Sequence, residues 1–262
     1  SGMQEGAKEV LAEDAENIIC FHHVDFAYQG SKNVLTDIHI RVKKGQTIGI
    51  IGGTGAGKST VVNLIPRFYD VSAGVVQIDG VDVKEYPFAQ LRAKIGIVPQ
   101  NAVLFAGSIR ENMQWGKKGA TDEEIYRALE IAQAKEFVEG KPDGLNTQIL
   151  QGGKNFSGGQ RQRLTIARAL VGEPEILILD DSASALDFAT DAKLRRAIAA
   201  KTKEMTVFIV SQRAATIRNA DQILVLEDGR QAGLGTHEEL LKTCEVYREI
   251  CMSQLSEEEM NR

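Results

Sequence analysis

Hydrophobic positions along the chain fall into two periods. Runs of branched aliphatics recur in TIGIIG (47–52), KIGIVPQ (94–100), EILILD (175–180) and TVFIVS (206–211). Runs that are apolar at nearly every position suit strands buried on both faces of a parallel sheet. IICFHHVDFAY (18–28) instead comes close to alternating, as a strand with one buried face does. GVVQIDG (74–80) ends in an Asp-Gly turn signal, and DQILVLEDGRQAG (221–233) reads as a hairpin about Asp228-Gly229.

Helical stretches separate these strands. Residues 58–68 follow a glycine-rich loop. Thr121 with Glu124, Ser157 with Gln160 and Thr236 with Glu239 have the capping-box spacing. They predict helices through DEEIYRALEIAQAKEFV (122–138), GQRQRLTIARALV (159–171) and HEELLKTCEVYREICMSQL (237–255). Alternation of strands and helices predicts an α/β sheet with crossovers. The stretch 104–172 shows mostly helical patterns and no convincing strand, so it reads as a helical lobe inserted between sheet strands. His22 and His23 are neighbours on a strand, which predicts opposite faces and a poor metal pair.

Composition narrows the classes. With 262 residues, 43% of them hydrophobic, the chain can bury a substantial core. A formal net charge of −5 weighs against general nucleic-acid binding, which wants a basic face. No apolar run approaches the ~18–20 residues of a membrane helix, and the start lacks the apolar core of a signal peptide. Ser1-Gly2 ahead of Met3 resembles the remnant of a tag. Residues 1–17 are expected to be tag and linker from an absent membrane domain, 18–255 one domain, and 256–262 a solvated tail. Cys20, Cys244 and Cys251 are sparse and odd in number, which fits a reducing compartment. Cys244 and Cys251 stand seven apart and are expected to share a helix face.

The strongest local signal is GGTGAGKST (52–60), which matches G-x-x-x-x-G-K-[ST] between an apolar strand and a helical pattern. Glycines let the backbone N–H groups of Gly53, Thr54, Gly55, Ala56 and Gly57 approach phosphate oxygens, and the helix that follows adds its positive end. Lys58 reaches the β- and γ-phosphates, and the Ser59 hydroxyl, next to Thr60, ligates Mg²⁺. Such a loop needs a second Mg²⁺ anchor on a neighbouring strand. ILILD supplies Asp180 at a strand's C-terminal end, where ligands collect in open α/β sheets.

NFSGGQRQRLTIARAL (155–170) resembles the signature of ATP-binding cassette (ABC) proteins, with Phe156 where the family usually has Leu. With the phosphate loop and ILILD, it resembles the nucleotide-binding domains of exporters over residues 18–252. The resemblance implies a P-loop NTPase core with a mixed sheet, an N-terminal antiparallel β subdomain and an inserted helical subdomain at about 104–172. It implies ATP and Mg²⁺ as ligands, ABC transmembrane domains as partners, no nucleic acid, and a place at the cytoplasmic face of a membrane. Tyr28, in VDFAYQG, lies where the family's adenine-stacking aromatic does. Gln100 resembles the glutamine that contacts Mg²⁺ and senses the γ-phosphate, on a loop facing the membrane domain. SALD (184–187) resembles the loop that crosses the dimer interface. Ser157, Gly158, Gly159 and Gln160 would face the ATP held by a second nucleotide-binding domain.

Two positions depart from the family. Asp181 stands where a glutamate usually orients or deprotonates the attacking water, and aspartate is roughly 1.5 Å shorter. A misplacement of about 1 Å can cost ~10²-fold, or about 2.7 kcal/mol of barrier. Gln212 stands where the switch histidine lies; glutamine can donate a hydrogen bond but cannot carry a proton's charge. A softer departure is Gln151, near an acidic position that many exporters carry. Together Asp181 and Gln212 suggest one half of a heterodimeric exporter with a degenerate ATP site. A homodimer with an atypical base, a non-hydrolysing nucleotide-gated clamp, an importer subunit and a soluble ABC ATPase acting on DNA or ribosomes are the alternatives. The short spacing between phosphate loop and signature and the acidic charge count against the last of these.

Overall fold

The computed structural model of the chain describes residues 3–6, 16–181, 188–201 and 204–260. It divides into two compact units, Ser1–Arg92 with Thr206–Arg262, and Ala93–Met205. The first unit opens with β1 (Asn17–Ala27), β2 (Asn33–Lys43), β3 (Thr47–Gly52), β4 (Ala73–Ile78) and β5 (Val81–Asp82). The second holds β6 (Ile95–Val98), β7 (Gly107–Ser108), β8 (Gln148–Ile149) and β9 (Ile176–Asp180). The chain then returns to the first unit with β10 (Thr206–Val210), β11 (Gln222–Glu227) and β12 (Arg230–Gly235).

In the first unit the strands run in the order β5-β4-β1-β2-β12-β11-β3-β10. The sheet is mixed. β1 pairs antiparallel with β2 and β4, whereas β3 pairs parallel with both β10 and β11. β10 is buried along its whole length and β3 at all but its first residue, as strands with covered faces require. Ile48, Ile50, Ile51, Phe208, Ile223 and Leu224 form the centre of this core. Both Asp-Gly turns are two-residue hairpins with positive φ at each position, 52° and 77° at Asp79-Gly80 and 48° and 75° at Asp228-Gly229. That backbone matches the twist of the flanking strands, which is why Asp-Gly is favoured there.

β1 does not keep simple alternation. Phe21 pairs with Ile40 and Val24 with Ile38, so His22 and His23 together oppose His39. This is a β-bulge, with His23 at φ 46°. The expectation of opposite faces therefore gives way to a cluster: the His23 and His39 rings stack at 4.3 Å, and His22 lies 5.9 Å from His39.

The helix after the glycine loop spans Lys58–Asn63, and turns carry it to Pro66. It ends in a Schellman motif, with Arg67 left-handed at φ 56° and the Phe68 N–H donating to the Asn63 carbonyl.

In the second unit β6 and β9 pair parallel, Val98 opposite Leu179. All three capping boxes are present: Thr121–Glu124 and Ser157–Gln160 here, and Thr236–Glu239 in the first unit. The helix expected through 122–138 is broken. It runs Asp122–Ile131 and closes in a second Schellman motif, with Gln133 at φ 61° and the Ala134 N–H donating to the Leu129 carbonyl. A new helix, Lys135–Glu139, follows. The 104–172 stretch also contains one short ladder, β7 against β8, too brief to leave a hydrophobic period.

The helix expected through 237–255 likewise divides, into His237–Thr243 and Glu245–Gln254, at an extended Cys244. The Arg248 guanidinium donates to the carbonyls of Leu241 (2.9 Å) and Lys242 (3.4 Å), which offsets the lost helical bonds. Cys244 sits at this break, so it and Cys251 are not on one continuous helix face; all three cysteines are buried. Among the described residues no helix is long and apolar enough to cross a membrane.

Candidate nucleotide site

The glycine loop leaves β3 at Gly52 and enters the helix at Gly57. The Ala56 N–H donates to the Gly53 carbonyl at 3.1 Å, and the Gly229 N–H donates to the Ala56 carbonyl at 3.2 Å. The loop therefore leans on the β11–β12 hairpin turn. Gly57 adopts φ 95°, which side chains other than glycine's rarely adopt, and a Cβ there would lie 2.7 Å from Leu35 Cδ2, so glycine is favoured. Lys58 Nζ donates to the carbonyls of Gly52 (2.8 Å) and Gly53 (2.9 Å), which holds the ammonium over its own loop.

β10 brings a second loop to the same sheet edge. Val210 pairs with Ile50, and the Ser211 N–H donates to the Ile50 carbonyl at 3.1 Å. Gln212 follows, with its side chain exposed. The glycine loop and Gln212 thus leave the C-terminal ends of adjacent parallel strands, 160 residues apart in sequence, where α/β sheets bind ligands. Gln254, which carries no local sequence signal, fixes this second loop. Its Nε2 donates to the Gln212 carbonyl at 2.8 Å, and its Oε1 accepts from the Ala214 N–H at 2.8 Å. Tyr28 directly follows β1 and is 41% exposed, beside Phe26 and Tyr69.

The second unit repeats the arrangement with other residues. β6 and β9 are parallel, so Gln100 and the pair Asp180-Asp181 emerge at one edge. Asp180 is buried at the end of β9. Gln100 is exposed, and Asp181 is part-buried. Asp181 lies just past the strand with φ 49°, so a left-handed turn, not strand backbone, sets its direction. Aspartate tolerates this region better than most residues. Residues 184–187, the SALD stretch, lie outside the described residues.

The signature caps the thirteen-residue helix Gly158–Leu170. Ser157 Oγ accepts from the Gln160 N–H at 3.2 Å, and Gln160 Oε1 accepts from the Ser157 N–H at 3.0 Å. The hydroxyl keeps its own proton to donate, next to the first-turn N–H groups of Gly158 and Gly159. Phe156, the departure from Leu, is buried against Phe137, with the Lys141 ammonium 5.2 Å from its ring. Gln151 is exposed.

A phosphate-loop strand and helix on a mixed α/β sheet, with an acidic strand end in the second unit, define a P-loop nucleotide-binding protein. The family model described as "ABC transporter" matches residues 35–184, and the chain belongs to this family, whose members are ATPases. It is 46% identical over 233 residues to an ABC transporter ATP-binding protein of Mycobacterium tuberculosis, covering 87% of this chain and 40% of the relative. It is 40% identical over 242 residues to a Bacillus subtilis protein named as a multidrug export ATP-binding/permease protein, covering 92% and 42%. A solved bacterial Atm1-family ABC exporter with ATP bound superimposes with a TM-score of 0.91 at 35% identity, covering 97% of this chain and 45% of that one. The chain thus spans about two fifths of the length of these curated relatives.

Proposed function

We propose that this chain is the ATP-binding part of an ABC exporter, that it holds Mg-ATP between two nucleotide-binding domains, and that its own site binds ATP well and hydrolyses it slowly. The observation that carries the last point is Gln212. Its backbone leaves β10 beside the phosphate loop, and in this reading the residue stands in for the family's titratable histidine while Asp181 stands in for the family's glutamate base.

In this reading the amides of Gly53, Thr54, Gly55, Ala56 and Gly57 cradle the phosphates, Lys58 neutralises them, and Tyr28 stacks on the base. Ser59, Gln100 and Asp180 offer only hard oxygen donors, the set that Mg²⁺ takes. Bound there, the ion would offset charge on the β- and γ-phosphates. Ser157, Gly158, Gly159 and Gln160 complete the partner domain's site, and a partner that carries glutamate and histidine where this chain has Asp181 and Gln212 makes the pair a heterodimer.

The membrane-facing surface has support of its own. Phe105 and Trp115 are 46% and 72% exposed, and their rings meet at 5.0 Å; Phe105 lies on the loop after Gln100, and Trp115 ends the helix Ile109–Gln114. Arg168 braces them, 5.5 Å from the Phe105 ring and donating to the Val103 carbonyl at 2.9 Å. An exposed aromatic pair on a braced base suits docking to a permease portion. The export/permease name of the Bacillus relative fits such a partner. The chain would then work at the cytoplasmic face of the membrane.

The test is ATPase activity of the chain alone, then mixed with a nucleotide-binding domain carrying glutamate and histidine at the two positions. Slow turnover alone and faster turnover in the mixture are expected. Asp181→Glu with Gln212→His should raise turnover of the single chain by about 10²-fold. Brisk turnover by the unaltered chain overturns the reading.

A further inference from the structure

Three aromatic rings meet at the end of β1. Phe26 is buried, while Tyr28 and Tyr69 keep 41% and 39% of their surface exposed. Tyr28 has two perpendicular neighbours: Phe26 at 4.9 Å and 82°, and Tyr69 at 5.3 Å and 89°. Phe26 and Tyr69 also touch, at 5.4 Å. Edge-to-face contacts set the positive rim of one ring against the negative face of another.

Tyr69 is delivered by a short, heavily tied segment. Arg67 is 2% exposed, and its guanidinium donates to both Asp70 carboxylate oxygens, at 2.7 and 3.3 Å, and to the Lys84 carbonyl at 3.4 Å. On the far side the Ser72 N–H donates to the Asp25 carbonyl at 2.8 Å, and Ser72 Oγ accepts from the Ala27 N–H at 3.0 Å. Residues 67–72 are thus tied to the Lys84 carbonyl at one end and to the end of β1 at the other, and Tyr69 is carried between the fastenings. Burial of its own ring does not account for this, since much of it stays in water.

We infer that Tyr69 is a positioning residue for the nucleotide base. Together with Phe26 it holds the Tyr28 ring in one plane before the base arrives, so that stacking does not have to freeze a mobile side chain. The inference rests on the reading of Tyr28 as the base-stacking residue. Freeing one such side chain corresponds to about a three- to tenfold loss of affinity. The effect should be confined to ligands that carry a base. The hydroxyl of Tyr69 plays no part, because ring edges and faces make the contact.

The experiment compares Mg-ATP with Mg-inorganic triphosphate, which engages the phosphate loop but has no base. Binding of both to the whole chain is measured by calorimetry for the unaltered protein, Tyr69→Leu, Tyr69→Phe and Tyr28→Leu, with melting temperatures alongside. Tyr69→Leu should weaken ATP about three- to tenfold and leave triphosphate binding and melting unchanged. Tyr69→Phe should restore the affinity lost in Tyr69→Leu. Equal weakening of both ligands, or a Phe variant as poor as Leu, overturns the role of Tyr69. If Tyr28→Leu weakens ATP and Tyr69→Leu does not, only this inference fails. If Tyr28→Leu leaves ATP binding untouched, the base-stacking reading fails with it.

Discussion

At the scale of single residues, the bulge in β1 has the clearest consequence for behaviour. It gathers His22, His23 and His39, with Asp37 and Arg41 on β2 and Gln77 on β4 around them. Nδ1 of His39 is buried with no hydrogen-bond partner among the described residues. Burial, and then the neighbouring His23, Arg41 and His22, lower the His39 pKa below its usual 6.5; Asp37 opposes them only in part. The folded state therefore favours neutral His39, while the unfolded chain takes up the proton near its ordinary value. Stability from this group is present above about pH 6.5 and is lost as pH falls through the lower folded value. His39→Gln should flatten the loss of melting temperature between pH 7.5 and 5.5 relative to the unaltered chain. The sequence supplied the histidines, but strict alternation hid the cluster, because a bulge is a two-against-one pairing visible only once β2 is in register. Asp181 teaches the same lesson: its identity is a sequence fact, its left-handed backbone is not.

At the scale of elements, local sequence signals formed the structures they predict. Capping boxes, Asp-Gly turns and aliphatic strands each depend on residues within a few positions of one another, and they formed as the pattern predicts. Helix ends depart from the pattern. Gln133 and Arg67 close Schellman motifs without the usual glycine, and Cys244 interrupts a helix whose end carbonyls Arg248 collects. The β11–β12 turn illustrates an element with a distant task. Gly229 donates to Ala56 in the phosphate loop, and its own carbonyl accepts from the Thr36 N–H at 2.9 Å. It holds φ 75°, and a Cβ there would stand 1.9 Å from the Val34 carbonyl oxygen. Gly229→Ala should cost about 3 kcal/mol or more of stability through backbone displacement and a strained φ. It should also weaken ATP binding; chemical denaturation and calorimetry would read the two effects. Ordinary stability with unchanged affinity would show that the turn does not support the loop.

At the scale of the whole molecule, the exposed Phe105–Trp115 pair marks the surface proposed for the permease. Trp115 is the only tryptophan in the chain and is 72% exposed. The isolated chain should therefore fluoresce like a water-exposed indole. Assembly with its membrane portion should shift emission to the blue, whereas nucleotide alone should leave it in place. Emission that ignores assembly would remove this surface from the proposed interface.

The sequence by itself determined the family, the phosphate loop, the signature and the two departures at Asp181 and Gln212. Those are matters of residue identity at short spacing, and short-range chemistry leaves its mark on neighbouring positions. Only the tertiary structure decided that Gln212 leaves the sheet beside the phosphate loop and that Gln254 ties its backbone. The same holds for Tyr69 against Tyr28 and for the hairpin turn beneath the loop. Each of those contacts joins residues forty or more positions apart, and the parallel register and chain reversals that bring them together are long-range pairings with no local sequence period.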